Sequence, residues 1–263
     1  MKIAILGAGA FGTALGGILA FKGYDIDYYD SKLERENLNY VLDKAKYIVL
    51  CVPSKAAPFL LPCLPDDKPL IVATKGILTD TMLRGFKDWM VLSGPGFADD
   101  IKAKKKTFLT ATDSRIVDLF NTDYIQFDFT DDRRGVLMCG ALKNIYAILA
   151  GLKALQRETS AWRQFIKQVT KEMGLILEAN GAESDTVELM CGVGDLKLTC
   201  GLPSRNYEYG SILRENPAYE ASNTVEGLSA IRRILRHEIV VPAKAQLLKE
   251  VINAVKQCTK ESG

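Results

Sequence analysis

The chain has 263 residues, of which 48% are hydrophobic and 25% are charged. This composition is ordinary for a globular protein of one large or two smaller domains, and it excludes collagen-like and intrinsically disordered chains. Lysine plus arginine number 34 against 32 aspartate plus glutamate, giving a net charge of +2. Because a near-neutral chain generates no long-range field, nucleic acid and acidic membrane surfaces are disfavoured as partners.

Six cysteines are spread singly along the chain, without a Cys-x-x-Cys pair. Cys51, Cys139 and Cys191 lie in apolar stretches and are interpreted as small core residues. We therefore expect neither a disulfide framework nor a metal site, and we expect a cytoplasmic location. The first residues already resemble a strand, so we expect no signal peptide.

The first half of the chain alternates short apolar segments with helical ones. The predicted strands cover residues 2–6, 25–29, 47–52, 70–73, 90–92, 107–111 and 124–127. A helix is predicted over 12–22, ending at Gly23. Strands separated by helices indicate βαβ units, so we predict an α/β domain over residues 1–129 with a doubly wound, mostly parallel sheet.

After residue 129 the pattern changes to helical periodicity. The predicted helices cover 134–156, 159–180, 184–191, 206–214, 225–237 and 242–256, with Pro242 in the first turn of the last. Residues 130–263 are therefore predicted to form an all-helical domain. The most apolar stretch, 136–155, carries Lys143 and Asn144 at its centre. Because a lysine at mid-bilayer costs about 3 kcal/mol, this stretch is interpreted as a buried helix and not as a membrane span.

The strongest local signal is Gly7-Ala-Gly-Ala-Phe-Gly12, which follows a strand and opens a helix. Gly7 permits a tight turn, Gly9 lets the backbone approach a pyrophosphate, and Gly12 allows close packing of helix on strand. The helix N-terminus then offers N–H groups to the phosphates. The motif predicts a Rossmann domain that binds a dinucleotide, and the alternative is a merely structural glycine turn.

Asp30 closes the second predicted strand, 18 residues after Gly12. A carboxylate there would accept hydrogen bonds from the adenosine ribose and repel a 2′-phosphate, which favours NAD over NADP. The alternatives are a turn aspartate, and a 2′-phosphate contact through Lys32 and Arg35.

Two further loops, at residues 52–54 and 74–76, follow the third and fourth strands at the edge where such sheets bind ligands. Lys75 follows the fourth strand and precedes a glycine. A cleft role is favoured over an ordinary surface lysine. The Gly/Pro-rich segment from Ser93 to Ala98 follows the fifth strand, which suggests that its backbone comes close to a ligand.

Lys143-Asn144 lies on a helix that is apolar on nearly all faces. A lysine buried there without a partner would be costly, so it must pair or face a polar cavity. Asp195, between glycines and an apolar stretch, is the candidate partner. The functional interpretation is a lysine whose pKa is lowered by desolvation enough to transfer protons, and the alternative is a structural ion pair.

Ser204-Arg205-Asn206 follows a turn and opens a helix. Ser204 is an N-cap by type. A helix N-terminus with an arginine fork is also typical of a phosphate site. Because residues 7–12 already account for the cofactor, a second anion site suggests a phosphorylated substrate.

These motifs together resemble NAD(P)-dependent glycerol-3-phosphate dehydrogenases over roughly residues 3–250. The motifs that carry the resemblance are Gly-Ala-Gly-Ala-Phe-Gly-Thr-Ala-Leu from residue 7, Val-Pro-Ser at 52–54, Thr-Lys-Gly-Ile at 74–77, Ser-Gly-Pro-Gly-Phe-Ala at 93–98, Gly-Ala-Leu-Lys-Asn-Ile-Tyr-Ala-Ile at 140–148, Gly-Val-Gly-Asp-Leu at 192–196, Thr-Cys at 199–200, Ser-Arg-Asn at 204–206 and Val-Glu-Gly at 225–227.

The resemblance implies interconversion of dihydroxyacetone phosphate and sn-glycerol 3-phosphate, with NAD or NADP, feeding phospholipid synthesis. It implies Lys143 as proton donor and acceptor and Lys75 as a contact of both substrate and cofactor. The other residues it implies around the substrate are Gly94, Asn144, Asp195, Thr199, Arg205 and Asn206. Those it implies along the cofactor are Ala10, Phe11, Ala98 and Glu226, with Arg205 also within reach. The sequence is compatible with a homodimer.

The chain also departs from the family pattern. Gly96 replaces a serine, Leu137 a glutamate, and residues 167–169 a Thr-Arg-Gly, and the segment between Asp30 and Ile48 is short. The chain is thus a shortened, divergent member by this resemblance. Two other functions stay open: reduction of another small 2-keto compound, as in ketopantoate reductases, and a non-catalytic dinucleotide-binding module.

Overall fold

The structure, a computed structural model, describes residues 1–31, 37–76, 79–201, 204–221 and 224–260, with side chains up to residue 256. Lys32 and Arg35, considered above as contacts of a 2′-phosphate, lie outside these ranges. The chain divides into two compact units. Unit 1 comprises Met1–Lys75 with Asp80–Arg133, and unit 2 comprises Gly76–Thr79 with Arg134–Gly263.

Unit 1 is built on a seven-stranded sheet with the strand order β2-β1-β3-β4-β5-β6-β7. The strands are β1 (Lys2–Leu6), β2 (Asp25–Tyr29), β3 (Tyr47–Leu50), β4 (Leu70–Val72), β5 (Trp89–Ser93), β6 (Thr107–Ala111) and β7 (Ile125–Phe129). All neighbours are parallel except β5 and β6, which are antiparallel. The prediction of a doubly wound, mostly parallel sheet is confirmed.

Five helices of unit 1 lie among the described residues. They are α1 (Ala10–Phe21), α2 (Leu38–Asp43), α3 (Ala57–Leu60), α4 (Ala98–Lys102) and α5 (Ser114–Phe120). The buried side of α1, with Leu15, Ile18 and Leu19, packs in one cluster with Ile5 of β1 and Val49 of β3. The central strands β1, β3 and β4 are almost wholly apolar and buried, which is why the sequence predicts them well.

The strand order reverses direction at β1 and β3. From β1 the chain adds β2 on one side, and β3 then starts the other side of the sheet. In sheets of this kind, ligands bind outside the carboxyl ends of the strands at such a point. The loops after Leu6, Leu50, Val72 and Ser93 all leave parallel strands at this same edge.

Unit 2 is helical in its described residues. Its main helices are α6 (Arg133–Leu152, whose first residue belongs to unit 1), α7 (Ser160–Ala179), α8 (Asp195–Thr199), α9 (Arg205–Glu215), α10 (Glu226–Leu235) and α11 (Gln246–Lys260). Helix α6 is long and apolar enough to cross a membrane, but its most apolar window is 94% buried inside the protein. It is the core helix of unit 2.

The segment predicted as a helix over 184–191 is helical but is not one continuous regular helix. A 3₁₀ turn over Ser184–Glu188 is followed by a π-helical turn over Met190–Gly194, and regular helix resumes only at α8. The cause lies at Gly192, where a Cβ atom would stand 2.1 Å from the Val187 carbonyl oxygen. The chain folds back on itself there at backbone distance, which a regular helix does not permit.

The predicted start of the last helix at Pro242 is wrong, because α11 begins at Gln246. The Glu172 carboxylate, buried on α7, accepts hydrogen bonds from the backbone N–H groups of Leu247 and Leu248 at 2.9 and 2.7 Å. These N–H groups have no partner within the helix, so a remote carboxylate determines where α11 starts.

Helices α9 and α10 approach α6 at backbone distance through glycines. A Cβ atom on Gly210 of α9 would lie 2.0 Å from the Ile148 carbonyl oxygen, and one on Gly151 of α6 would lie 2.0 Å from that of Tyr207. On α10, a Cβ atom on Gly227 would lie 2.6 Å from the Asn144 carbonyl oxygen. These crossings leave no room for a side chain between the helices.

Candidate active site

The glycine loop of unit 1 has the shape that a bound pyrophosphate requires. Gly7 has a φ of +106°, which favours glycine. A Cβ atom on Gly12 would lie 2.0 Å from the Gly7 carbonyl oxygen, whereas one on Gly9 would meet no atom within 4 Å. The space beside Gly9, together with the backbone N–H groups of Ala10 and Phe11 in the first turn of α1, suits a phosphate group.

Asp30 lies directly beside this loop. Its Oδ2 atom accepts a hydrogen bond from the backbone N–H of Ala8 at 3.0 Å. The carboxylate thus stands at the end of β2, next to the turn that would hold the pyrophosphate. This position fits a contact with the adenosine ribose.

Lys75, Gly94 and Phe11 come together at the same edge of the sheet. The Lys75 Nζ atom donates to the Gly94 carbonyl oxygen at 3.2 Å and lies 5.6 Å from the centre of the Phe11 ring. Gly94 has a φ of +136°, and a Cβ atom there would be 2.9 Å from the Leu109 Cα atom. Ala98 follows as the first residue of α4 and is half-buried against the core.

Lys143 and Asp195 form a buried ion pair in unit 2. The Nζ–Oδ2 distance is 2.6 Å, and the side chains are 3% and 1% exposed. Nζ also donates to the Thr199 Oγ1 atom at 3.2 Å, and that hydroxyl donates to the Asp195 carbonyl oxygen at 2.6 Å. The pairing predicted from the cost of burying a lysine is therefore present. The Thr199 hydroxyl joins the last residue of α8 to the first, because it donates to the Asp195 carbonyl oxygen.

Asn144 and Asn206 extend this polar group towards α10. The Asn206 Nδ2 atom donates to Asn144 Oδ1 at 2.9 Å, and Asn206 Oδ1 accepts from the Gly227 backbone N–H at 2.9 Å. Both amides are buried. Asn206 thus connects α6 with the N-terminus of α10, where Glu226 is the first helical residue.

The predicted phosphate site begins α9. Ser204 is its N-cap, and the Oγ atom accepts from the Tyr207 backbone N–H at 3.4 Å. Arg205 is the first helical residue and is exposed. An exposed guanidinium at the N-terminus of an 11-residue helix can donate two parallel hydrogen bonds to a phosphate group.

Comparison with known proteins identifies the group to which this chain belongs. Residues 132–261 match the family described as the C-terminus of NAD-dependent glycerol-3-phosphate dehydrogenase. A curated relative from Maridesulfovibrio salexigens, named glycerol-3-phosphate dehydrogenase [NAD(P)+], is 32% identical over 80% of this chain and 79% of its own length. The chain belongs to the glycerol-3-phosphate dehydrogenase family.

Further glycerol-3-phosphate dehydrogenases agree with this assignment. The relative of that name from Bacillus velezensis is 28% identical, and the match covers 97% of this chain and 91% of the relative. The crystal structure of the Coxiella burnetii protein superimposes with a TM-score of 0.80 at 25% identity, over 99% of this chain and 98% of that chain. The family is one of NAD(P)-dependent oxidoreductases, and the resemblance read from the motifs is confirmed.

Cys200, next to Thr199, is a neutral neighbour of the ion pair in this family member. Burial raises the pKa of the Cys200 thiol well above its usual range, and Asp195 raises it further while Lys143 lowers it. A thiol that stays protonated is no nucleophile.

Sequence reasoning missed two contacts of this site. The Asn144–Asn206 hydrogen bond joins residues 62 positions apart, and Trp162, whose Nε1 donates to the Cys200 carbonyl oxygen at 2.7 Å, was not singled out. The position of Trp162 on the apolar stripe of α7 indicates burial. Its polar partner depends on tertiary packing that no local pattern encodes.

Proposed function

We propose that this family member interconverts dihydroxyacetone phosphate and sn-glycerol 3-phosphate with NAD or NADP. The observation that carries the proposal is the buried group of Lys143, Asp195 and Thr199, close in sequence to the phosphate-type helix N-terminus at Arg205. A protonated amine, an amide pair and an anion site match a small ketone that carries a phosphate.

Lys143 is the proposed proton donor to the C2 oxygen when the ketone is reduced. Asp195 balances the charge of the ammonium group, and Thr199 Oγ1 orients Nζ from a second direction. In the reverse reaction the amine accepts the alcohol proton. A positioned acid–base group of this kind contributes about 10²–10⁴-fold to the rate.

The phosphate is proposed to bind at the start of α9. Arg205 offers two parallel N–H donors to the phosphate. The first backbone N–H groups of α9, whose N-cap is Ser204, add the partial positive charge of a helix N-terminus. Asn206 and Asn144 are proposed to face the substrate hydroxyl and carbonyl groups. Their mutual hydrogen bond fixes both amides before the substrate arrives.

The cofactor is proposed to bind along the glycine loop of unit 1, with Lys75, Gly94 and Ala98 at the neighbouring loops. When bound, NAD(P)H supplies the hydride. Asp30 favours NAD, because a carboxylate beside the loop would repel the 2′-phosphate of NADP. From the family pattern we also assign Arg205 and Glu226 of unit 2 as cofactor contacts, and Lys75 and Gly94 as substrate contacts.

We further propose that the protein works in the cytoplasm and supplies glycerol 3-phosphate for phospholipid synthesis. Both points rest on the resemblance to the glycerol-3-phosphate dehydrogenase family. A homodimer is compatible with the sequence and is tested by measuring the molar mass in solution.

A single assay tests the reaction. Wild type is mixed with dihydroxyacetone phosphate and either NADH or NADPH, and oxidation of the reduced cofactor is followed. Lys143→Gln keeps a hydrogen-bond donor for Asp195 but cannot release a proton, so we expect turnover to fall by about 10²–10⁴-fold with unchanged NADH binding. Lys153→Gln is the matched control, since Lys153 pairs with Glu250 at the surface, and it should keep wild-type turnover.

The outcomes separate the alternatives. Absence of ketone-dependent oxidation of both cofactors by the wild-type protein would overturn the proposal. Binding of NADH without turnover of any small ketone would favour a non-catalytic dinucleotide-binding module. Turnover of a non-phosphorylated 2-keto acid in preference to dihydroxyacetone phosphate would contradict the phosphate site at Arg205.

A further inference from the structure

Trp162 contacts the short helix that carries the proton-transfer residues. It is the third residue of α7 and is 3% exposed. Its Nε1–H donates to the Cys200 carbonyl oxygen at 2.7 Å, and this hydrogen bond is buried. Cys200 is the C-cap residue of α8 and directly follows its last helical residue, Thr199. An indole N–H from one helix therefore fixes the last carbonyl group of another.

The indole is itself held in place. The N-cap of α7 is Thr159, and its Oγ1 atom accepts from the Trp162 backbone N–H at 3.2 Å. Trp162 is thus in the first turn of a 20-residue helix with an ordered N-terminus. The donor belongs to a long helix, whereas the acceptor belongs to a short one.

Helix α8 has little intrinsic stability. It contains five residues, and a helix of that length is not stable without tertiary contacts. The last carbonyl groups of any helix lack partners within it. The Cys200 carbonyl finds its partner in Trp162, so this hydrogen bond contributes directly to where the end of α8 lies.

Both ends of α8 contact Lys143. Asp195 at the first position is 2.6 Å from Nζ, and Thr199 at the last position is 3.2 Å from it. A shift of the C-terminal end of α8 by a few tenths of an ångström changes the second distance first. Thr199 directly precedes Cys200 in the chain, so the two residues move together.

We infer that Trp162 is a positioning residue for proton transfer: its indole N–H holds the Cys200 carbonyl group, and through it Thr199, against Lys143. The inference rests on the proposed function and deepens it. Trp162 has no role in binding or chemistry of its own in this account. Its effect is expected on kcat, because the geometry around Nζ matters when the proton moves.

The test uses an isosteric replacement of one atom. The chain has two tryptophans, Trp89 and Trp162. In a Trp89→Phe background, β-(3-benzothienyl)alanine incorporated in place of tryptophan replaces only the Trp162 indole N–H by sulfur. Incorporation of 5-fluorotryptophan, which keeps the N–H, is the matched control. Trp89 begins β5, and the Arg133 guanidinium lies over its ring. Phenylalanine keeps an aromatic face for Arg133, so Trp89→Phe is a suitable parent.

With dihydroxyacetone phosphate and NADH, we expect kcat of the benzothienyl protein to fall about tenfold relative to the parent. The KM for NADH should stay close to that of the parent, and the fluorotryptophan protein should keep its kcat. The thermal midpoint of the benzothienyl protein should fall by no more than about 2–12 °C, because one buried carbonyl group loses its donor. Trp162→Phe is a second variant that also lacks the donor, and its kcat should fall at least as much.

Three outcomes would overturn the inference. Parental kcat in both the benzothienyl and the Trp162→Phe proteins would show that the donor is dispensable. If kcat, the KM for NADH and the thermal midpoint of the benzothienyl protein all worsen together relative to the parent, Trp162 has a purely structural role. If wild type and the parent both lack turnover, the proposed function itself is wrong and the inference falls with it. An active parent whose kcat is matched by both the benzothienyl and the Trp162→Phe proteins refutes the inference alone.

Discussion

Replacing Lys143 by methionine would leave the Asp195 carboxylate in the interior without its counter-ion. The carboxylate is 1% exposed, and the lost contact is the 2.6 Å pair with Nζ. Breaking a buried pair by removing one partner costs about 3–5 kcal/mol of unfolding free energy. At roughly 2–4 °C per kcal/mol for a chain of this size, the thermal midpoint should fall by about 6–20 °C.

The double variant Lys143→Met/Asp195→Leu removes both charges and should recover this loss. Replacing a buried pair by apolar side chains is often neutral or stabilising by about 1–4 kcal/mol. Urea unfolding and thermal scans of wild type, the single and the double variant measure the two steps. Lys153→Met is the control, because its partner Glu250 is 46% exposed and the pair is worth less than about 1 kcal/mol.

Either of two results would refute the reasoning. A Lys143→Met protein as stable as wild type would mean that the Asp195 charge is not desolvated. A double variant less stable than the single one would mean that Asp195 stabilises the fold through contacts other than its pair with Lys143, such as that with Thr199. Turnover should be lost in both variants whichever way stability changes.

Two further predictions concern unit 1. Gly12→Ala places a Cβ atom 2.0 Å from the Gly7 carbonyl oxygen, so it should lower the thermal midpoint. A Cβ atom at Gly9 meets no atom within 4 Å, so Gly9→Ala should fold normally but weaken NADH binding. Equal effects of the two substitutions on the thermal midpoint and on the dissociation constant for NADH would contradict this. Hydrogen bonds from Arg115 hold the pKa values of Asp88 and Asp113 below their usual range. Because these folded-state values are depressed, the stabilisation is present above the unfolded carboxyl pKa of about 3.9 and is lost as the pH falls through the folded-state values. Arg115→Gln should therefore be less stable than wild type at neutral pH and approach it in acid; a difference in urea midpoint that does not change with pH would argue against this pairing.

The sheet was predictable because its strands carry their own signal. Each of the seven predicted strands is present, with ends that differ by at most two residues. Apolar runs between turn residues are local information. The antiparallel direction of β6 is not encoded in this way, since it depends on how the chain returns to the sheet after α4.

The helices that were predicted wrongly are those shaped by distant contacts. The π-helical turn before Asp195 follows from backbone contact at Gly192, and the start of α11 follows from the Glu172 carboxylate about 75 positions earlier. A pattern within the segment records neither contact.

The site divides in the same way. The cost of a buried charge predicts that Lys143 needs a carboxylate, and the apolar surroundings of Asp195 select it. By contrast, the Trp162 contact with Cys200 joins residues 38 positions apart through a side-chain donor and a backbone acceptor. Any carbonyl group can accept such a bond, so residue type alone does not identify the partner.

The glycines at the crossings of α6 with α9 and α10 have a consequence for how this protein can change. At Gly151, Gly210 and Gly227 the helices touch through their main chains, so the spacing of Asn144 from Asn206 is determined by atoms that every residue shares. The apolar side chains around these crossings can therefore be exchanged for others of similar volume without moving the two amides. Sequence drift through most of unit 2 is compatible with an unchanged site, whereas a single added methyl group at one of the three glycines is not.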